Sequence, residues 1–289
     1  MWKPFNIALD AFWRFNADEG WALASHIALS LLMALFPFLI FVTSLAALFG
    51  SQDMADQLSQ LLLETWPAQV AAPIAAELHN VLTNVRTDAL TFGVLLAIYF
   101  SSSGVESLRI ALNRAYELTE ERSFWILKLE AIAYVLVGAM GLIALGFLIV
   151  LWPLAWALLA HFVPGWALAN DPTLIIRYTV AGGMLIFALL VIHMWLPAGR
   201  RRITEVVPGI VVTIVLWLIT GAAFGEYLSR FSSYVTTYAG LASVMAALVF
   251  LYLTASIFIY GGEINAVLQD ERRKASAATK AKKKRRKKE

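Results

Sequence analysis

The feature that most constrains this chain is an uncharged run near its C-terminus. Residues 231–262 contain no Lys, Arg, Asp or Glu, and the run then meets Glu263. A helix that rises 1.5 Å per residue needs about 20 apolar residues to cross a bilayer core about 30 Å thick. Residues 241–262 supply that length, so the run predicts a transmembrane helix that leaves the hydrocarbon at Glu263.

The whole composition agrees with a membrane protein. Hydrophobic residues make up 60% of the chain and charged residues only 15%, whereas soluble domains are about 45 to 50% apolar. The apolar segments predict an all-α, polytopic bundle of six transmembrane helices in a membrane domain of residues 22–268. The predicted spans are residues 22–49, 89–105, 131–159, 178–196, 206–225 and 241–262. Pro37 interrupts the first span and predicts a kink, because proline frees a backbone carbonyl.

Three segments outside the spans have their own patterns. Residues 1–21 place aromatic and charged residues at helical spacing, which predicts an amphipathic helix in the membrane interface, or a short helix packed on the bundle. The acidic segment 50–88 carries two apolar stripes and predicts amphipathic helices in an extracytoplasmic loop. Residues 269–289 predict a disordered basic tail, since eight of the last ten residues are Lys or Arg.

The distribution of basic residues predicts the orientation. With six spans, 20 Lys and Arg fall on the side of the two termini and three on the other side. Both termini are therefore expected in the cytoplasm. The tail is expected to attract anionic lipid headgroups. Nucleic acid is not an expected partner, because no aromatic residue or folded module accompanies the basic run.

A small set of polar residues near the ends of the spans is the candidate binding site. Glu263 stands out because an ionisable group near bilayer depth is costly unless it finds a partner, water or a ligand. It could also lie in the headgroup zone or cap a neighbouring helix. Arg114 can pair with Glu263, either as a static salt bridge or as a pair that an anionic headgroup breaks. The candidate residues are Ser101, Ser103, Asn113, Arg114, Glu263 and Asn265.

The sequence offers little for catalysis or for a metal. It has no cysteine, and its four histidines are scattered without acidic neighbours at ligand spacing. The spans contain serines but no ordered acid and base beside them. We therefore expect no metal, no cofactor and no enzymatic activity.

Three stretches of the chain form a recognisable set: Ala34-Leu35-Phe36-Pro37, then Ser103-Gly104 with residues 111–116, and finally Pro208-Gly209 with the closing residues 261–266. Together they resemble the YihY/virulence factor BrkB family of bacterial inner-membrane proteins, and the resemblance implies that location for this chain. The chain departs from the family pattern at Ala239 and Phe250. The resemblance implies six transmembrane helices and suggests roles in serum resistance or in lipid or lipopolysaccharide export. The family once carried a ribonuclease BN label, which the scattered histidines of this chain do not support.

Two functions follow from these observations. The first is translocation of a lipid or another amphiphile through a cavity lined by the candidate residues. The alternative is a non-transporting scaffold or regulator of the envelope that acts through partners, using its acidic loop helices and its basic tail. Small-residue faces leave self-association open, since they serve packing within a chain as readily as between chains. No internal repeat of the kind that marks inverted-topology transporters is evident.

Overall fold

The computed structural model describes residues 4–49, 87–141, 173–230 and 240–286, with residues 60 and 72 singly. Within these residues the chain forms seven helices and no strand. They are α1 (Pro4–Ala17), α2 (Gly20–Phe49), α3 (Thr87–Ala115), α4 (Phe124–Gly141), α5 (Thr173–Trp195), α6 (Ile203–Arg230) and α7 (Gly240–Arg286). Helices α3 to α7 are long and apolar enough to cross a membrane, and α2 adds a shorter apolar stretch, Gly20–Leu35. The prediction of an all-helical polytopic bundle is confirmed.

Helices α3 and α4 extend further than the sequence predicted, because their charged residues pair with one another. The second span was expected to end at residue 105, before Glu106, yet α3 continues to Ala115. The Glu106 carboxylate forms a salt bridge with Lys128 of α4, with 2.9 Å between Oε1 and Nζ. The third span was expected to start at residue 131, whereas α4 starts at Phe124. A charge that is neutralised by a neighbouring helix need not end its own helix.

Helix α7 differs from the prediction of a disordered tail after residue 268, since it remains helical to Arg286. No Gly or Pro follows Gly262 in the sequence, and the tail is rich in Ala, Lys and Arg, which are good helix formers. An existing helix is also extended without the cost of a new nucleus. The spanning segment therefore propagates its helix into the basic tail.

Helix α1 packs on the bundle through α7. Ala11 lies in a buried cluster with Ile264 and Val267 of α7, and the Tyr260 hydroxyl donates to the Ala8 carbonyl at 2.9 Å. The opposite face of α1 exposes large apolar side chains, including Phe5 and Trp13. An apolar outer face is typical of an interfacial helix. Of the two alternatives for residues 1–21, these contacts show the helix packed on the bundle, and its place in the membrane interface stays a prediction.

Two predictions fall outside the described residues. The amphipathic helices of the loop 50–88 lie almost wholly in that part, and so does the third span beyond Gly141. Helix α2 runs through Pro37 without interruption, and the kink there stays a prediction.

Among the residues whose side chains the structure describes, the buried ones concentrate at one end of the bundle. They lie near the start of α2, α4 and α6, near the close of α3 and α5, and in residues 255–267 of α7. We call this the basic end and define it as residues 20–34, 107–131, 189–213 and 255–273. Its apolar core includes Ile27, Leu112, Leu189, Leu196, Val206, Ile210, Phe258 and Ile259. The basic end holds most of the polar residues considered below.

A close crossing of α6 and α7 lies within the basic end. A Cβ atom added to Gly209 would overlap the Gly261 carbonyl oxygen, and one added to Gly261 would overlap the Thr213 side chain. Two glycines therefore let the two backbones touch. The fifth span was predicted to start at residue 206, whereas α6 starts at Ile203, so Pro208 lies in its second turn.

The proline leaves the Thr204 carbonyl without its intrahelical N–H donor. Arg272 of α7 supplies a donor in its place, at 3.2 Å. The neighbouring helix thus supplies the hydrogen bond that Pro208 removes from α6, as expected in a membrane bundle.

Candidate functional site

Glu263 is buried beside another carboxyl group. Its side chain is fully buried, and neither carboxylate oxygen receives a hydrogen bond from an N–H or O–H donor of the described residues. The Asp18 carboxyl, in the turn between α1 and α2, lies within hydrogen-bonding reach. Burial raises the pKa of Asp18 above its ordinary value, and the contact with Glu263 acts in the opposite direction. Two carboxyl groups at this separation are joined by a hydrogen bond only when one holds a proton.

The basic residues around this carboxyl pair are engaged elsewhere. Arg14 of α1 contacts Asp270 at 2.5 Å and Glu117 at 3.5 Å. Arg114, which the sequence offered as a partner of Glu263, pairs instead with Glu19 at 2.7 Å and has 44% of its side chain exposed. The Arg114 to Glu263 salt bridge is therefore not formed, because Arg114 points to the turn after α1 while Glu263 faces the packed interior.

Asn265 lies two residues further along α7 and joins three elements. Its side-chain oxygen accepts from the Gly209 backbone N–H at 2.6 Å, and its amide nitrogen donates to the Tyr116 hydroxyl at 3.3 Å. Tyr116 follows α3 directly, and burial raises its pKa to about 12. Asn265 is fully buried, so its polar atoms hold α3, α6 and α7 in register.

Asn113 is part of a network that joins the segments after α3 and α5. Its oxygen accepts from the Ala198 N–H at 2.7 Å and its nitrogen donates to Glu120 at 3.1 Å. Arg122 donates to both oxygens of Glu120 at 2.8 Å and to Glu130 at 2.7 Å. The hydrogen bond from Arg122 lowers the pKa of Glu120 to about 2. Through these contacts Asn113 holds the segment after α3 against the segment after α5.

Ser101 and Ser103 do not join the other candidates. They lie part-way along α3, and ten residues of helix separate Ser103 from Asn113, or about 15 Å at 1.5 Å per residue. The neighbouring Ser107 hydroxyl donates to the Ser103 carbonyl and also contacts the His26 ring of α2 at 2.6 Å. This part of α3 packs closely on α2, as small residues at a helix interface permit.

Sequence comparisons identify the family. The sequence model described as virulence factor BrkB matches residues 11–288. This chain belongs to the BrkB family. Its similarity to the ribonuclease-like protein YfkH of Bacillus subtilis is 27% identity, over 91% of this chain and 95% of that protein. A UPF0761 membrane protein of Coxiella burnetii is 27% identical over 88% of this chain and 90% of its own length.

A UPF0761 membrane protein of Rhodospirillum centenum is 24% identical over 92% of this chain, and the match spans 57% of that longer protein. No solved structure matches the chain. The BrkB assignment confirms the resemblance found in the sequence and agrees with a membrane protein. It leaves the activity open, because two of these relatives are named only as membrane proteins.

The ribonuclease-like name of one BrkB relative belongs to that protein. In the described part of this chain, no group of three His, Cys, Asp or Glu residues could hold a metal ion. His193 is buried against Phe258, and its Nδ1 contacts the Leu189 carbonyl at 2.9 Å. His26 contacts Ser107. Both histidines are thus placed as packing residues of α2 and α5.

A basic cavity at the surface of this BrkB-family chain was not predicted from the sequence. The cavity holds about 560 Å³ between the segment that joins α5 to α6 and the extension of α7. Its cationic side chains are Arg200, Arg201, Arg272, Arg273 and Lys280. The run of three arginines at 200–202 was the available signal, but the sequence did not show that α7 continues as a helix beside it.

Proposed function

We propose that this BrkB-family chain is a multi-pass protein of the bacterial inner membrane that translocates a lipid or another amphiphile. Both termini lie in the cytoplasm in this proposal, because 20 of the 23 Lys and Arg fall on their side. The basic end then faces the cytoplasm. The observation that carries the proposal is the pair of carboxyl groups formed by the fully buried Glu263 and the half-buried Asp18.

A buried carboxyl group without a hydrogen-bond donor lowers the free energy of unfolding. Burial of an unpaired polar group costs about 1–3 kcal/mol in proteins, and burial of a charge costs more. Gln at this position would avoid that cost and could donate to Asp18. Ionisable residues retained at such depth typically mark ion or substrate pathways. The pair therefore supports a proton-binding position at the cytoplasmic boundary, which a translocation cycle can load and unload.

Glu263→Gln tests this assignment through stability. Gln keeps the shape of Glu263 and adds an N–H donor for Asp18, so we expect the variant to melt at a higher temperature near pH 7. The gain should be about 1 kcal/mol, the value of one neutral hydrogen bond made in place of an unsatisfied group. The matched control is Glu121→Gln, which makes the same charge change at an exposed position and should leave the melting temperature unchanged.

Translocation is tested with the purified protein in liposomes of phosphatidylethanolamine and phosphatidylglycerol. A fluorescent phosphatidylglycerol is quenched from outside, and the rate at which inner-leaflet lipid becomes accessible is measured between pH 5 and 8. We expect the protein to exceed protein-free liposomes. Glu263→Gln should lower the rate at least tenfold and remove its pH dependence, while Glu121→Gln should match the wild type.

Two outcomes would contradict the proposal. If Glu263→Gln moves lipid at the wild-type rate while its melting temperature changes, Glu263 is a structural residue. If the wild type does not exceed protein-free liposomes, translocation of this lipid fails. Native mass spectrometry of the protein released from mild detergent then shows whether another lipid co-purifies and should replace the probe.

A non-transporting scaffold or regulator is the second candidate function, favoured by the helical extension of α7. This segment continues past the last apolar turn to Arg286. Its side chains are exposed from Arg272 to Lys280, which suits docking to anionic lipid headgroups. A chain truncated after Lys274 distinguishes the two functions, since a translocator should still move lipid without its tail. Self-association of the chain would fit either function.

A further inference from the structure

The basic cavity lies apart from the carboxyl pair and has an unbalanced charge. Its five cationic side chains face one carboxylate, that of Glu205, so its formal net charge is +4. Glu205 is already engaged, because its Oε2 accepts the Arg202 backbone N–H at 2.9 Å and caps the start of α6. The cations of the cavity are thus not neutralised by the residues that line it.

Arg201 is held in place within this cavity. Its guanidinium carbon lies 3.8 Å from the centroid of the Tyr116 ring, and its Nη2 donates to the Ala198 carbonyl at 3.3 Å. Its Nη1 is buried and has no acceptor among the described residues. Burial lowers the pKa of Arg201 below its ordinary value, an effect that a bound anion would oppose. The guanidinium is therefore fixed by stacking, with one donor left free.

Gln269 of α7 supplies a second free donor. Its Nε2 is also buried without a partner in the described structure, and the residue lines the same cavity as Arg201. Buried polar groups are nearly always hydrogen-bonded. Two unsatisfied N–H donors in one cationic cavity point to an acceptor that completes them.

We infer that this cavity binds a phosphate group, with Arg201 and Gln269 donating from its floor and Arg200, Arg272, Arg273 and Lys280 neutralising its charge from the rim. Arginine suits this ligand, because its planar donors match phosphate oxygens. A volume of about 560 Å³ falls within the usual range of ligand sites, about 300–1,000 Å³. The phosphate can belong to a lipid headgroup that enters from the membrane, or to a soluble anion of the cytoplasm.

The site does not require translocation, so it can hold even if the proposed function fails. The test uses the full-length protein in a neutral detergent and measures heats of binding by titration calorimetry. The probes are inorganic phosphate and the short-chain lipid dihexanoyl phosphatidic acid, with dihexanoyl phosphatidylcholine as the zwitterionic control. We expect one saturable site per chain. Tighter binding of the phosphatidic acid indicates a lipid headgroup, and equal affinity for both phosphate probes indicates a soluble anion.

Variants of the cavity decide whether this site is the one measured. Arg201→Gln should weaken binding about tenfold, the loss expected for one charge-assisted hydrogen bond. Since this change also removes the stacking on Tyr116, Arg273→Gln combined with Lys280→Gln serves as a second variant, at exposed positions where folding is not affected. Lys274→Gln is the control, because Lys274 lies next to Arg273 but does not line the cavity. The proposal is overturned if neither phosphate probe saturates, or if Lys274→Gln weakens binding as much as the cavity variants.

Discussion

The basic end of the bundle is joined by buried polar contacts and close backbone crossings, whereas the opposite halves of the helices expose their apolar side chains. At the basic end Gly209 and Gly261 bring two backbones into contact. In the opposite half of α6, a Cβ added to Gly221 or Gly225 would meet nothing within 4 Å among the described residues. Leu218 there is 70% exposed.

This difference follows from the solvent. Lipid tails are as apolar as Leu, so burial of Leu against a neighbouring helix gains little in a membrane. Close packing of small residues and hydrogen bonds must supply the attraction between helices. Among the described residues, the basic end contains both kinds of contact.

The largest expected effect comes from closing the glycine crossing. Gly209→Ala places a methyl group against the Gly261 backbone, which cannot yield as a flexible side chain would. We expect a loss of about 3 kcal/mol, at the upper end of ordinary overpacking. Gly221→Ala, made in the same helix, should be neutral or slightly stabilising, because Ala is the better helix former. Melting temperatures in detergent measure both, and equal losses would remove the distinction between the two ends.

A smaller effect is expected from Asn265→Ala. The change leaves the Gly209 N–H and the Tyr116 hydroxyl without their partner, and buried groups left unsatisfied cost about 1–3 kcal/mol. We expect a loss of about 2 kcal/mol. Thr254→Ala is the control outside this crossing, because among the described residues the Thr254 hydroxyl donates only to the Phe250 carbonyl of its own helix. The melting temperatures of the two variants should differ clearly. An unchanged melting temperature in Asn265→Ala would show that the register of α7 does not depend on this side chain.

The smallest effect is confined to acid pH and concerns Glu120. Its pKa in the folded protein is about 2, below the ordinary value of 4.5, chiefly because Arg122 donates to it. A lowered folded pKa stabilises the protein above pH 4.5, and that stabilisation is lost as the pH falls from 4.5 toward 2. Melting temperature should therefore fall across this window in the wild type and fall less steeply in Glu120→Gln. Glu121→Gln should follow the wild type, and an unchanged slope in Glu120→Gln would place the acid-labile contact elsewhere.

The limits of the sequence prediction are clear at particular residues. The ends of α3 and α4 were misplaced because a single sequence does not show that Glu106 meets Lys128. Glu263 and Asn265 were recognised as unusual from their position beside a spanning segment. Their partners Asp18, Gly209 and Tyr116 were not found, since nothing in local spacing brings them together. The pairing of Arg114 with Glu19 in place of Glu263 was missed for the same reason.

The sequence alone determined that this is a helical membrane protein, because an uncharged apolar run of about 20 residues can cross a bilayer as a helix that satisfies its own backbone hydrogen bonds. Its motifs also determined the BrkB family. Tertiary structure alone decided which polar groups have hydrogen-bond partners. It places the buried Glu263 beside Asp18 and gives Asn113 its contacts with Ala198 and Glu120. It also places Arg201 in a cavity. Hydropathy depends on each residue separately, whereas the state of a buried charge depends on the neighbours that distant segments bring to it.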